Sequence, residues 1–364
     1  MGCGGCELYP TPTEVLRTID ATVAEFGAKI NSRALLKDLI NEHHRKIKNP
    51  LHGHRNAVTT TNLWHFRDLL CNTITKRHGR KAGRAALAVI KKSITCYAAK
   101  LHFNRGANIL RPQRKLNKGY APTFEQLTNF EGRMAQAAGW KDLFGCESTF
   151  ALWKLGLPRM IFVSDMGDAF SSKGQFPFLE REAIPAITSE KGLRHLWLWL
   201  TKRPKLMREF AARIGGFPPN VCAMTTVTGP ETLHRVDELR NVRAACRGLS
   251  VEPLWKRIRP GDLDLTGIDW LILGGESGSG PLTRSFQVEW AEELHQYCQE
   301  RGVAFFLKQL GRNPVIAGKP IRLVDAHGGD WDEWPLHLRV REFPAYFHGY
   351  RLAEKNASSP PWPV

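Results

Sequence analysis

Apolar positions recur along this chain with two different periods. Over Thr13–Phe26 the residues Val15, Ile19, Val23 and Phe26 return every three or four positions, the spacing that lines one face of an α-helix. Arg33–Ile47 repeats the pattern through Leu35, Leu36, Leu39 and Ile40, and Asn49-Pro50 with His52-Gly53-His54 interrupts it. Two more helical stretches are predicted over Asn62–His78 and Ala82–Lys100, parted by Gly79. Ile109–Pro122 reads as a basic connector, and Phe124–Trp140 as a further helix.

From Arg159 the period changes. Short, β-rich apolar runs stand at Met160–Ser164, His195–Leu200, Val221–Val227, Gly248–Val251, Trp270–Leu273 and Val303–Leu307. Amphipathic stretches at Phe178–Ser189, Leu206–Ile214, Glu231–Arg240 and Val288–Arg301 separate them. Continuous apolar strands alternating with helices predict a parallel sheet, here an α/β fold forming a partial (β/α) TIM-like barrel after an N-terminal basic helical unit. The expected division is 1–10 as a cysteine-bearing N-terminus, 11–95 as the basic helical unit, 96–311 as the barrel and 312–364 as an irregular tail, disordered from Asn356.

Each predicted strand ends in polar groups. Asp165, Met166 and Asp168 follow the first and Thr201-Lys202-Arg203-Pro204 the second, while the third contains Thr225 and Thr226 and is followed by Thr228. The next two end in Ser250-Val251-Glu252-Pro253 and Gly274-Gly275-Glu276-Ser277-Gly278-Ser279-Gly280, and the last in Lys308-Gln309. A βα barrel builds its site at the C-terminal ends of its strands, so these residues are the expected rim of a site. The bland alternative is that the charged members pair with one another. The glycine-rich run could form a nest of backbone N–H groups for a phosphate or carboxylate, or a tight turn.

Charge sharpens the picture. The chain of 364 residues carries a formal +17, yet Asn41–Lys118 alone holds 18 Lys and Arg against Glu42 and Asp68. The remainder is nearly neutral, and Leu69–Tyr120 has no acid at all. One local block of a single sign predicts a polyanionic partner, nucleic acid, with Lys76, Arg77, Arg80, Lys81 and Arg84 as its densest cluster. A solvated helix face is the competing reading. No apolar run is long enough to cross a membrane, so no membrane partner is expected. The first ten residues lack the basic and apolar regions of a secretion signal, so a cytoplasmic location is expected.

A cytoplasmic chain keeps its cysteines reduced, so the close pair Cys3-Gly-Gly-Cys6 suits zinc, an iron–sulfur cluster or a redox dithiol. Cys71, Cys146, Cys222, Cys246 and Cys298 sit in apolar or helical contexts and are expected to be buried small hydrophobes. His43, His44, His52 and His54 match no closed zinc spacing.

Several strand-end segments occur together in order: Ile161-Phe-Val-Ser-Asp-Met-Gly-Asp168, Leu200-Thr-Lys-Arg-Pro204, Leu249-Ser-Val-Glu-Pro-Leu254, Asp269-Trp-Leu-Ile-Leu-Gly-Gly-Glu-Ser-Gly278 and Phe305-Phe-Leu-Lys-Gln-Leu-Gly311. With Cys96-Tyr97-Ala98, this set resembles the phage-associated three-cysteine-motif family of unknown function, distantly similar to radical S-adenosylmethionine (radical SAM) enzymes. The resemblance covers roughly Cys96 to Gly311 and implies a radical SAM-type partial barrel. It also implies a 4Fe–4S cluster held by three cysteines, with one iron open to S-adenosylmethionine. Cys96 fits the last of the three, and Cys3 and Cys6 are the partners left for it, which makes the basic helical unit an insertion within the motif. On this resemblance Lys202, Arg203, Gly274, Gly275, Glu276, Ser277 and Lys308 hold cofactor or substrate, while Asp165, Asp168 and Glu252 orient polar groups or move protons. The expected function is a radical SAM-like enzyme acting on nucleic acid or a nucleotide, with a protein partner encoded nearby. The alternatives are a non-catalytic nucleic-acid-binding protein on a degenerate barrel and a zinc-dependent hydrolase using the acidic rim.

Overall fold

The computed structural model describes residues 9–46, 58–94, 96–105, 110, 121, 124, 127–144, 146, 156–164, 167–278 and 283–356. Two compact units emerge. One comprises Met1–Phe130 with Met166–Asp168, and the other Glu131–Asp165 with Ala169–Val364.

The first unit is helical. Helix α1 (Pro12–Ala24) starts on a capping box in which the Thr11 hydroxyl accepts from the Glu14 amide and the Glu14 carboxylate accepts from the Thr11 amide. Its stripe Val15, Leu16, Ile19 and Val23 is buried together with Leu36 and Ile40 of α2 (Ser32–Lys46). The same core takes Leu63, Phe66, Leu70, Ile74, Ala86 and Ile90 of α3 (Thr60–Ser93) and Phe103 of α4 (Tyr97–Arg105). Helix α3 is broken at Gly79, whose φ of 89° and ψ of 165° are open only to glycine. Past the break, a Cβ on Gly83 would sit 1.8 Å from the Thr75 hydroxyl and 2.9 Å from the Cys71 carbonyl oxygen. Residues twelve apart in one helix would be about 18 Å apart. The two arms of α3 therefore fold back on each other as a hairpin, with Gly79 at its tip.

The second unit is mixed α/β. After the short helix α5 (Arg133–Ala138), six parallel strands pair in the order β1-β2-β3-β4-β5-β7 as a curled half-barrel sheet flanked by helices. They are β1 (Arg159–Val163), β2 (His195–Thr201), β3 (Val221–Thr226), β4 (Cys246–Val251), β5 (Trp270–Gly274) and β7 (Ala304–Gln309). A helical stretch runs through α6 (Phe176–Phe178), a π turn at Leu179–Ala183 and α7 (Ile184–Thr188). Helices α8 (Pro204–Arg213), α9 (His234–Arg240) and α10 (Val288–Arg301) follow. A small second sheet joins β6 (Ser285–Gln287), β8 (Asn313–Ile316) and β9 (Lys319–Pro320).

Strand alternation divides the apolar side chains between two layers. Trp197, Trp199, Val221, Ala223, Leu249, Leu271 and Phe305 face the helices and make the larger core with Phe170, Met207, Phe210 and Leu294. Leu196, Leu198, Cys222, Met224, Cys246, Trp270 and Phe306 face the other way, inward. Their cover is the tail: Phe347 and Tyr350 of α11 (Ala345–Asn356) pack there, the Tyr346 hydroxyl donates to the Pro219 carbonyl, and Trp270 Nε1 donates to the Glu342 carbonyl. Pro219 precedes β3 and Trp270 opens β5, so the tail closes the amino end of the inner face.

Three expectations are revised. Among the described residues of Phe124–Trp140, only Arg133–Ala138 are helical, because the chain enters at Gly132 in the left-handed region and Leu127 is 40% exposed. The tail is not irregular throughout, since Tyr346, Phe347 and Tyr350 fall on one face of α11 and, with Phe343 just before it, cover the sheet. Cys146 is half-buried rather than buried, while Cys71, Cys222, Cys246 and Cys298 are buried. Residues 357–364 lie outside the described residues. Among the described residues, no helix is long and apolar enough to cross a membrane.

Candidate functional site

Because all six strands run parallel, their C-terminal ends share one edge of the half-barrel. Lys202 and Arg203 follow β2 there, Glu252 follows β4, Gly275 and Glu276 follow β5, and Lys308 lies in the last turn of β7. The sequence reading of one shared rim thus gathers these residues at one edge.

Two of them meet directly. Lys308 Nζ donates to both carboxylate oxygens of Glu252, each at 2.9 Å. The two residues sit on strands separated by β5, and the intervening residue is Gly274. A Cβ there would come within 3.2 Å of Glu252 Cγ and 3.3 Å of Gln309 Cγ. The glycine leaves the gap through which the ion pair closes across a strand.

Gly275 does a different job. A Cβ on it would lie 2.2 Å from the Leu310 carbonyl oxygen. Its amide donates to the Gln309 carbonyl, and Gln309 Nε2 donates to the Gly275 carbonyl, so the ends of β5 and β7 are clamped by one backbone bond and one side-chain bond. Gly311, at φ 78°, approaches the same peptide from the other side, 2.7 Å from the Gly275 carbonyl carbon for an added Cβ. The double glycine thus serves close strand contact.

Glu276 is held within its own loop. Its carboxylate accepts from the Arg284 amide at 3.1 Å and from the Arg284 guanidinium at 3.0 Å. That guanidinium also lies over the Trp255 ring, 4.1 Å from its centroid. Ser277 is exposed, and residues 279–282 of this loop lie outside the described residues.

Beside the ion pair the edge carries polar groups that lack partners. Thr226 and Thr228 are 1% and 0% exposed, and neither hydroxyl has a hydrogen-bond partner; nor does the buried Nε1 of Trp255. Thr226 pairs in register with Ser250, and strand parity puts both on the inner face with Met224 and Gly248. Buried hydroxyls without partners are rare in folded proteins and mark places where a ligand or water completes the bonding. Ser164, immediately after β1, adopts a φ of 62°, a left-handed conformation seldom taken by residues other than glycine.

The other predicted residues distribute as follows. Asp168 is 7% exposed and groups with the helical unit, whereas Glu252 belongs to the α/β unit. Asp165, Cys3 and Cys6 lie outside the described residues. Cys96 is half-buried and stands at the N-terminus of α4, where its carbonyl accepts the amide of Lys100. Among the described residues, no group of three His, Cys, Asp or Glu side chains is arranged to hold a metal ion. Lys76, Arg77, Arg80, Lys81 and Arg84 flank the hairpin tip, all exposed, and none forms an ion pair with a described residue. Beside the tip, Lys29, Asn31, Asp38, Arg77 and His78 line a groove of about 300 Å³.

Sequence reasoning missed Arg284 and Trp255 as the partners that occupy Glu276; it placed Thr226, Thr228 and Ser250 at the strand ends but gave them no role of their own. The parity of β4 is the signal that sets Ser250 on the face of Glu252, since Gly248, Ser250 and Glu252 alternate onto one side.

A family model described as "Protein of unknown function (DUF5131)" matches residues 89–335. No curated protein and no solved structure matches the chain. With well over half its length inside that match, the chain belongs to the DUF5131 family of proteins of unknown function.

Proposed function

We propose that this protein is a radical SAM-like enzyme of the phage-associated three-cysteine type, acting on nucleic acid or a nucleotide at the inner face and carboxyl edge of its half-barrel. The observation that carries the reading is the set of buried, unpartnered hydroxyls of Thr226 and Thr228 on the same sheet edge as the Glu252–Lys308 pair, where βα folds place their ligands. A strained residue, Ser164, ends another strand at the same edge.

In this reading Cys3, Cys6 and Cys96 hold a 4Fe–4S cluster. The donor set suits such a cluster in kind: Cys96 is half-buried at a helix N-terminus, an electropositive position that favours a thiolate. When bound, such a cluster would supply one-electron reduction of S-adenosylmethionine. The chain's own residues bind and orient. Lys202, Arg203 and Lys308 offer cations to anionic groups, Glu252 offers a carboxylate to an amine or hydroxyl, and the Thr226 and Thr228 hydroxyls donate or accept.

Anaerobic reconstitution with metal analysis and an absorption spectrum tests it. About four irons per chain, lost in Cys3→Ser, Cys6→Ser and Cys96→Ser but kept in Cys222→Ser and Cys298→Ser, is the expected result. Stoichiometric zinc without iron overturns the cluster and favours a zinc-dependent hydrolase. The exposed, unpaired cations at the tip of α3 favour a second reading, a non-catalytic nucleic-acid-binding protein. Undiminished nucleic-acid binding with no iron uptake by any preparation would select it.

A further inference from the structure

We propose that the second arm of the α3 hairpin, Arg80–Ser93, is a docking ridge for the backbone of double-stranded DNA. This rests on the nucleic-acid part of the function proposed above and commits it to one element and one partner.

The arm has two faces of opposite character. Ala82, Gly83, Ala86 and Ile90 are buried against the helical core. Arg80, Lys81, Arg84, Lys91 and Lys92 are exposed, at spacings of three, four, seven and eleven residues that keep them on one side of the helix. None of the five forms an ion pair with a described residue, and the arm contains no acid. A face meant only for solubility gains by mixing signs along it. Here the charge is single-signed, and the facing core positions are small, so the arm lies tight against its neighbour while its outer face stays free.

Spacing fits a phosphate backbone. From Arg80 to Lys91 the helix rises about 16 Å, at 1.5 Å per residue. Base-pair steps recur about every 3.4 Å along a duplex axis, so the arm matches roughly five steps, about half a helical turn, and can reach phosphates on either wall of a groove. Between the cations stand Ala85 and Ala88, both partly exposed and short enough for phosphates to approach the helix closely.

A duplex is favoured over a single strand because, among the described residues, no aromatic platform accompanies the cations. Stacking rings are what single strands need. The nearby rings are committed elsewhere: Trp64 stacks on Phe103 at 5.3 Å and Phe66 is fully buried. DNA is favoured over RNA by width. The exposed side of a single helix can reach the phosphates that wall the roughly 12 Å major groove of B-form DNA, whereas the major groove of A-form RNA is deep and narrow.

The test uses the full chain and a mixed-sequence duplex, with binding followed by fluorescence anisotropy from 50 to 300 mM salt. The quadruple variant Lys81→Gln, Arg84→Gln, Lys91→Gln, Lys92→Gln removes four ridge cations. A control with Lys191→Gln, Lys205→Gln, Lys319→Gln and Arg322→Gln removes the same charge from exposed positions of the other unit. Circular dichroism checks that both fold. At about 0.9 per phosphate contact, the ridge variant should flatten the log–log slope by about 3.6 units and weaken binding roughly a thousandfold at 0.1 M salt, with the control close to wild type. The single substitution Ala88→Glu, which sets a carboxylate among the cations, should weaken binding at least tenfold. Equal losses in ridge and control variants would show a net-charge effect and overturn the ridge. An unchanged slope in the ridge variant, with duplex binding intact, overturns the ridge and leaves the nucleic-acid reading standing. Tenfold tighter binding to single-stranded DNA or to duplex RNA overturns the commitment to duplex DNA. No binding to any of the three at 50 mM salt overturns the ridge and the nucleic-acid reading together.

Discussion

Replacing Gly274 by alanine should uncouple Glu252 from Lys308 while hardly changing global stability. The added Cβ would stand 3.2 Å from Glu252 Cγ and 3.4 Å from its Cδ, a few tenths of an ångström inside ordinary contact. The carboxylate must retreat by about that much, and both 2.9 Å bonds to Lys308 Nζ lengthen or break. The pair is part-exposed, with side-chain exposures of 52% for Lys308 and 19% for Glu252, so its loss costs about 1 kcal/mol. Alanine offsets ~0.4–1 kcal/mol of that by restricting the unfolded chain. The net change in stability is therefore close to zero. A double-mutant cycle isolates the pair: Glu252→Gln, Lys308→Met and the double variant, unfolded in urea with glycine or alanine at 274. The coupling energy should be about 1 kcal/mol in the parent and near zero in the Gly274→Ala background. Gly275→Ala is the contrast, because its Cβ would fall 2.2 Å from a backbone carbonyl oxygen that cannot rotate away. That variant should lose more than ~3 kcal/mol. Equal coupling with and without the Cβ at 274 would refute the gap explanation, and so would a Gly275→Ala protein as stable as the parent.

Other outcomes follow from the same geometry. His65 is 5% exposed, with neither ring nitrogen hydrogen-bonded, and burial together with Arg67 and His102 depresses its pKa to about 4. Its folded-state pKa lies below the ordinary 6.5, so the unfolded chain binds the extra proton; its contribution is intact above pH 6.5 and is lost as pH falls toward 4, by roughly 3 kcal/mol. Urea midpoints measured from pH 7 to pH 4 should fall less steeply for His65→Leu than for the parent. Gly83→Ala should cost more than ~2 kcal/mol in the same assay, because its Cβ would overlap the Thr75 hydroxyl at 1.8 Å; adding Thr75→Ala should recover part of that loss. Phe347 is fully buried under the sheet, so Phe347→Ala should cost about 3–5 kcal/mol, read by thermal or urea unfolding. Burial pushes the thiols of Cys71 and Cys298 up to about 12, so iodoacetamide at pH 8 should modify half-buried Cys96 and Cys146 well before either; mass spectrometry of early time points reads the order.

The sheet was legible because its strands are apolar on both faces, as parallel strands covered on two sides must be. His195–Leu200 and Val221–Val227 stand out as unbroken runs for that reason, and the polar residue closing each run marks where cover stops. Gly79 was legible as a break, since nothing else in the sequence interrupts the α3 pattern. Two features were hidden for different reasons. The tail helix carries a clear aromatic stripe, but its flanking Trp and Pro masked it, and no local signal says that the stripe covers a sheet begun almost two hundred residues earlier. The Glu276–Arg284 bond joins two charges across a loop, and charge sequence alone does not choose among the many basic residues a carboxylate could take. The gap at Gly274 is also invisible in sequence, because a glycine that makes room and a glycine that makes a turn look alike.

The tail's position has a consequence for how the chain is made. On the ribosome, β1 to β5 emerge with Leu196, Leu198, Met224 and Trp270 on a face whose final cover, Phe347 and Tyr350, is synthesised last. The helix-facing side can be completed strand by strand, but the inner side stays wet and adhesive until those residues arrive. Nascent chains stalled before Phe347 should therefore recruit chaperones that bind apolar surface, and early stop codons in the tail should yield insoluble protein even though every strand of the half-barrel is present.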